Sequence, residues 1–203
     1  MREAHRGGPP RGDAGGAPLH LLRLEALKPG APATARHLAG RFAGSLRPGG
    51  PRAIDAAWVA GILTPAELAI WRRLSGPDRR HAVDVARRVD AELGNADGAA
   101  LAAALLHDVG KLDSGLGTLA RVPATLVGLA GFRRAVVPGN GRSSGLCRRI
   151  AMYLDHPARG AARLRAAGSD PLTVAWAAEH HLPEDLWSVP LAVGRILHAA
   201  DDD

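Results

Sequence analysis

Seven residues on five segments carry side chains able to ligate a metal ion. They are His81, the adjacent His107 and Asp108 in "LLHDVGK", His156 in "HPARG", the pair His180 and His181 in "AWAAEHHL", and Asp201 in "ILHAADDD". Imidazole nitrogen and carboxylate oxygen together suit Fe, Mn, Zn, Co or Ni, and the donor types alone do not choose among these. Neighbouring residues on a helix point about 100° apart, so His107 and Asp108 can share one ion only near a helix end. A pair of ions relaxes the limit, because the carboxylate can bridge while the histidine binds one of them; the same holds for His180 and His181. Taken singly, a histidine in a helical protein is commonly a surface or hydrogen-bonded core residue. His5, His20 and His37 fit no pattern and read as solvated. His198 is three residues before Asp201 on the same helix face and reads as a packing residue or a neighbour of the ligands.

The elements that must position these groups read as helices. Thr64-Pro65-Ala66-Glu67 is a capping box with proline at the first helical position, which predicts a helix to about Leu74. A second opens near Pro77 and Asp78, carries His81, Val85 and Val89 on adjoining turns, and ends at Gly94-Asn95. Asp97 starts an Ala/Leu-rich helix that is apolar all round, hence buried on most sides, and is expected to end near Gly110. Further helices fit Leu116 to Leu129, Gly145 to Leu154, Ala158 to Ala167, Pro171 to His181, and Pro190 onward. No alternating pattern of useful length competes, so the expected class is all-α, without internal repeats.

Composition bounds the rest. The chain has 203 residues, enough for one domain with a real core and a tail besides. Residues 1 to 50 hold eight Lys and Arg against three Asp and Glu, while the other 153 residues are nearly balanced, at 18 against 17. The same stretch has ten of the 25 glycines and six of the 15 prolines, too polar and too flexible a mixture to bury a core. The expected division is a disordered basic tail over 1-31 and a helical domain over 32-203, with the metal-site core at about 75-203. A basic arm can touch nucleic acid, but aromatic content is only 3%, so base stacking is poorly supplied and nucleic acid is not the expected partner. One cysteine, Cys147, permits no disulfide within the chain. The expectation is a cytoplasmic protein without signal peptide or membrane span, since the most apolar long run, Val122 to Phe132, is about half a spanning length.

His, then His-Asp followed by Gly-Lys, then His-Pro-x-x-Gly, then His-His, then Asp on a last helix: over residues 75 to 203 this order resembles the HD-domain superfamily of metal-dependent phosphohydrolases. In ligand pattern it looks most like the HD-GYP and HDIG branch, but the chain reads "HHLPEDLWSVP" where the Gly-Tyr-Pro element would fall. Some relatives with three metals carry a glutamate one turn before the first histidine; Pro77 stands there, so the expectation is two divalent transition-metal ions.

The resemblance implies an all-α, HD-domain-like bundle and a phosphohydrolase or phosphodiesterase acting on a nucleotide, a cyclic dinucleotide or another phosphate ester. It further implies that Asp108 bridges the ions, with His81, His107 and Asp201 on one and His156, His180 and His181 around the other. Two ions about 3.5 to 4 Å apart would activate water for in-line attack on phosphorus. Lys111 is the expected phosphate contact. The chain has only two lysines, the other being Lys28, among 26 basic residues, so a lysine here marks a compact point charge where a guanidinium is too wide. Arg80 and Arg159 lie close to proposed ligands and are weaker candidates for the same task. A non-catalytic metal- or nucleotide-binding HD signalling module is the alternative, and oligomeric state is not legible.

Overall fold

The computed structural model of the chain describes residues 49–94, 97–116 and 145–202. All regular structure among them is helical: α1 (Ala53–Ile62), α2 (Pro65–Arg72), α3 (Gly76–Leu93), α4 (Gly98–Leu106), a 3-10 helix (Val109–Ser114), α5 (Gly145–Leu154), α6 (His156–Ala166), α7 (Pro171–Glu179), a short 3-10 turn (Glu184–Leu186) and α8 (Leu191–Asp202). The basic tail lies outside the described residues, as does all but the first residue of the helix expected over Leu116 to Leu129. None of the described helices is long and apolar enough to cross a membrane.

Local chemistry sets most helix ends. The Thr64–Glu67 capping box forms as predicted: Thr64 Oγ1 accepts from Glu67 N, and the Glu67 carboxylate accepts from Thr64 N at 2.9 Å. Ser75 caps α3, and Gly94 ends it in the left-handed region, where a residue without Cβ is least strained. Asp97 and Asp170 cap α4 and α7 by accepting from Ala99 N and Leu172 N.

α4 is the axis of the fold. Every residue from Ala100 to Leu106 is buried, because α1, α2, α3, α7 and α8 all pack against it. Leu105 and Leu106 are essentially inaccessible, each contributing about 1.5–3 kcal/mol of apolar burial. The small residues before them, Ala102, Ala103 and Ala104, let neighbouring backbones approach. This helix stops at Leu106, four residues short of the expected end. His107 still has helical angles, but Asp108 takes φ −100°, ψ 6°, and the chain tightens into the 3-10 helix. That break keeps His107 and Asp108 at a helix end, where both side chains can face one space.

Candidate metal centre

The proposed ligands arrive on five segments: His81 from the second turn of α3, His107 and Asp108 from the junction of α4 and the 3-10 helix, His156 from the first residue of α6, His180 and His181 from the end of α7, and Asp201 from α8. The structure brings all seven together. Ligating atoms of His81, His107 and Asp108 lie within 4.8 Å of one another, as do those of His156, His180 and His181. Asp108 joins the two groups, its Oδ2 standing 3.5 Å from His107 Nε2 and its Oδ1 standing 3.3 Å from His156 Nε2 and 3.7 Å from His180 Nε2. Asp201 Oδ1 is 2.9 Å from His81 Nε2 and 3.7 Å from His107 Nε2.

Three of the imidazoles are held in one tautomer. His107 Nδ1 donates to Ala104 O at 2.9 Å, His156 Nδ1 to Tyr153 O at 2.8 Å, and His180 Nδ1 to Ala177 O at 3.1 Å. A ring nitrogen that donates to a carbonyl carries the proton, so in the neutral ring Nε2 presents its lone pair to the centre. Those three Nε2 atoms and Asp108 Oδ1 are buried and have no aligned hydrogen-bond partner among the described residues. An unsatisfied buried polar atom costs about 1–3 kcal/mol. Four such atoms converging on one space from three segments fit ion ligation, with the backbone carbonyls acting as the outer supports that metal-binding histidines typically use.

Electrostatics favour the ligating forms. Burial by itself would raise the Asp108 carboxyl, but the Lys111 ammonium, then His107, His156 and His180, hold it well below the usual carboxylate range. Asp201 is likewise held low: burial opposes this, and the positions of His107 and His81 outweigh it. His156 is pushed down, chiefly by desolvation, so its ring stays neutral. His181 is also pushed down, by desolvation and then by the nearby His180 and His156 rings, although the residue keeps a solvent-facing side. Neutral histidines with ionised carboxylates are the state a divalent ion needs.

Lys111 Nζ donates to Asp108 Oδ2, and both line a cleft of about 210 Å³ with His180, His181, His198, Asp201 and Asp202. The lysine therefore balances a buried carboxylate as well as facing the cleft. Arg80 and Arg159 do not line it: Arg80 donates to Gly49 O, and Arg159 pairs with Asp155 at 3.2 Å. Arg163 pairs with Asp113, which ties α6 to the 3-10 helix.

Two features were only partly legible in the sequence. His198, read as a packing residue or a neighbour of the ligands, lines the cleft, and so does Asp202, which remains exposed. Their i, i+4 spacing on one helix was the available signal. Gly110, for its part, is needed because a Cβ there would overlap the carbonyl oxygen of His156 and lie 2.6 Å from Gly160 N. These neighbours are 46 and 50 positions away, which spacing alone does not reveal. No family model, curated protein or solved structure matches the chain.

Proposed function

We propose that the chain is a metal-dependent phosphohydrolase of the HD-domain kind, hydrolysing a phosphate ester at the centre where α3, α4, α6, α7 and α8 meet. The observation that carries this reading is the convergence of three tautomer-fixed histidine Nε2 atoms on the low-pKa Asp108 carboxylate, with Lys111 beside it in an open cleft. A structural polar cluster would satisfy its own hydrogen bonds and would not need a cleft.

His81, His107, Asp108 and Asp201 would hold one divalent ion, and Asp108, His156, His180 and His181 a second. Ions bound there supply Lewis acidity toward a phosphoryl oxygen and an activated water. The chain's own residues do the rest. The carbonyls of Ala104, Tyr153 and Ala177 fix the rings, so no reorganisation is needed when the centre loads. Lys111 presents a cation where negative charge accumulates on phosphorus. The buried wall formed by α4 excludes water from the inner side of the centre.

The test is elemental analysis of protein purified without chelator, paired with a panel of phosphate mono- and diesters and with Asp108→Asn as the control. About two transition-metal ions per chain and metal-dependent turnover that Asp108→Asn abolishes are expected. Metal near zero after supplemented growth, with the fold intact, overturns the reading. Full metal content with no turnover on any ester leaves a non-catalytic binding module.

A further inference from the structure

The proposed centre leaves one chemical task unassigned. An alcohol leaving from phosphorus departs as an alkoxide unless it is protonated, and a donor poised for that role contributes about 10²–10⁴-fold. Of the cleft residues, Asp108, His180, His181 and Asp201 are placed as ligands. Lys111 is committed to Asp108. Asp202 stands against the His198 ring and is taken up by it. His198 remains, and imidazole is the side chain most often used as a positioned proton donor.

Its surroundings hold it in place. His198 Nδ1 stands 3.2 Å from Asp202 Oδ2, one turn along α8. The ring lies against Trp187, with centroids 5.5 Å apart at 41°. Trp187 is itself anchored, since its Nε1 donates to Leu182 O at 3.0 Å. The other nearby carboxylate, Glu184, is taken up by Arg195 at 2.6 and 3.1 Å, which leaves Asp202 as the partner of the imidazole. With Nδ1 turned to a carboxylate and an aromatic ring against one side, Nε2 is the nitrogen available to the cleft. His198 belongs to neither group of candidate ligands.

We propose that His198 is the proton donor to the leaving oxygen, with Asp202 as its positioning residue, and that the substrate is a phosphate ester of an aliphatic alcohol, such as a sugar or nucleoside hydroxyl. This rests on the phosphohydrolase reading and deepens it. As water oxygen forms the new bond to phosphorus, the bond to the alcohol oxygen breaks and its electron pair stays on that oxygen. The oxygen takes the proton from His198 Nε2, the water's proton passes to solvent, and the imidazole is reprotonated from solvent. Aryl esters, whose leaving groups are stable anions, do not need this proton.

The experiment is leaving-group dependence in the metal-loaded full chain. Two pairs of esters are used: 4-nitrophenyl phosphate with a nucleoside 5′-monophosphate, and bis(4-nitrophenyl) phosphate with a cyclic dinucleotide. His198→Gln is expected to lower turnover of the alkyl ester at least about a hundredfold and of its aryl counterpart less than about threefold. Asp202→Asn should show the same pattern, more weakly. The ratio within one preparation cancels any loss of folded protein, and metal content should match the wild type. Equal losses on both esters, or no loss, overturn the donor role while leaving the phosphohydrolase reading intact. A loaded wild type that hydrolyses neither pair overturns both.

Discussion

Replacing Gly110 by alanine tests how the centre is assembled. The added Cβ would overlap the His156 carbonyl oxygen and stand 2.6 Å from Gly160 N and 2.7 Å from His156 C. Carbon prefers neighbours at about 3.5–4.0 Å, so relief requires the 3-10 helix and α6 to part by about 1.5 Å. Both obstacles are backbone, which cannot rotate aside, so the cost belongs at the upper end of overpacking, about 3 kcal/mol or more. For a domain of this size that lowers Tm by about 6–12 °C. The same displacement separates Asp108 Oδ1 from His156 Nε2, now 3.3 Å apart, so metal content should fall with stability. Gly61→Ala is the matched control. Gly61 is an exposed residue of α1 with nothing within 4 Å of an added Cβ, and alanine there should stabilise by about 0.5–1 kcal/mol. Urea melts and elemental analysis of both variants provide the readout. A Gly110→Ala protein within about 0.5 kcal/mol of wild type and fully loaded would refute the argument.

Asp201→Asn should lose metal, because the neutral amide withdraws the charge facing His81 and His107, while Asp202→Asn retains it; elemental analysis of the two side by side decides. Lys111→Arg should keep fold and metal but lower turnover at least about tenfold, since the planar guanidinium does not reproduce the compact ammonium at Asp108; steady-state kinetics on any hydrolysed ester checks this. Glu67→Ala removes two bonds at the start of α2, from Thr64 N and Thr64 Oγ1, and should cost about 1 kcal/mol in a urea melt without changing metal content.

What the sequence determined alone is what short-range chemistry controls. The capping box at Thr64, the glycine stop at Gly94 and the cap at Asp97 need only neighbours within four residues, so they are legible before folding. The all-α class follows from helical periodicity, and α5 lies over Gly145–Leu154 as the pattern requires. The residue types at His81, His107, Asp108, His156, His180, His181 and Asp201 likewise mark side chains able to ligate a metal ion. Only tertiary structure decided that these seven meet, because their elements converge through long-range packing around α4. It also decided which ring nitrogens face inward, a matter of rotamers that no spacing encodes. The early end of α4 was settled the same way: the backbone contact of Gly110 with His156 and Gly160 binds the following turn to α6, and that contact overrides a helical propensity reaching to Gly110. His198 and Asp202 belong to the cleft for the same reason, since the face of α8 that carries Asp201 to the centre brings them along.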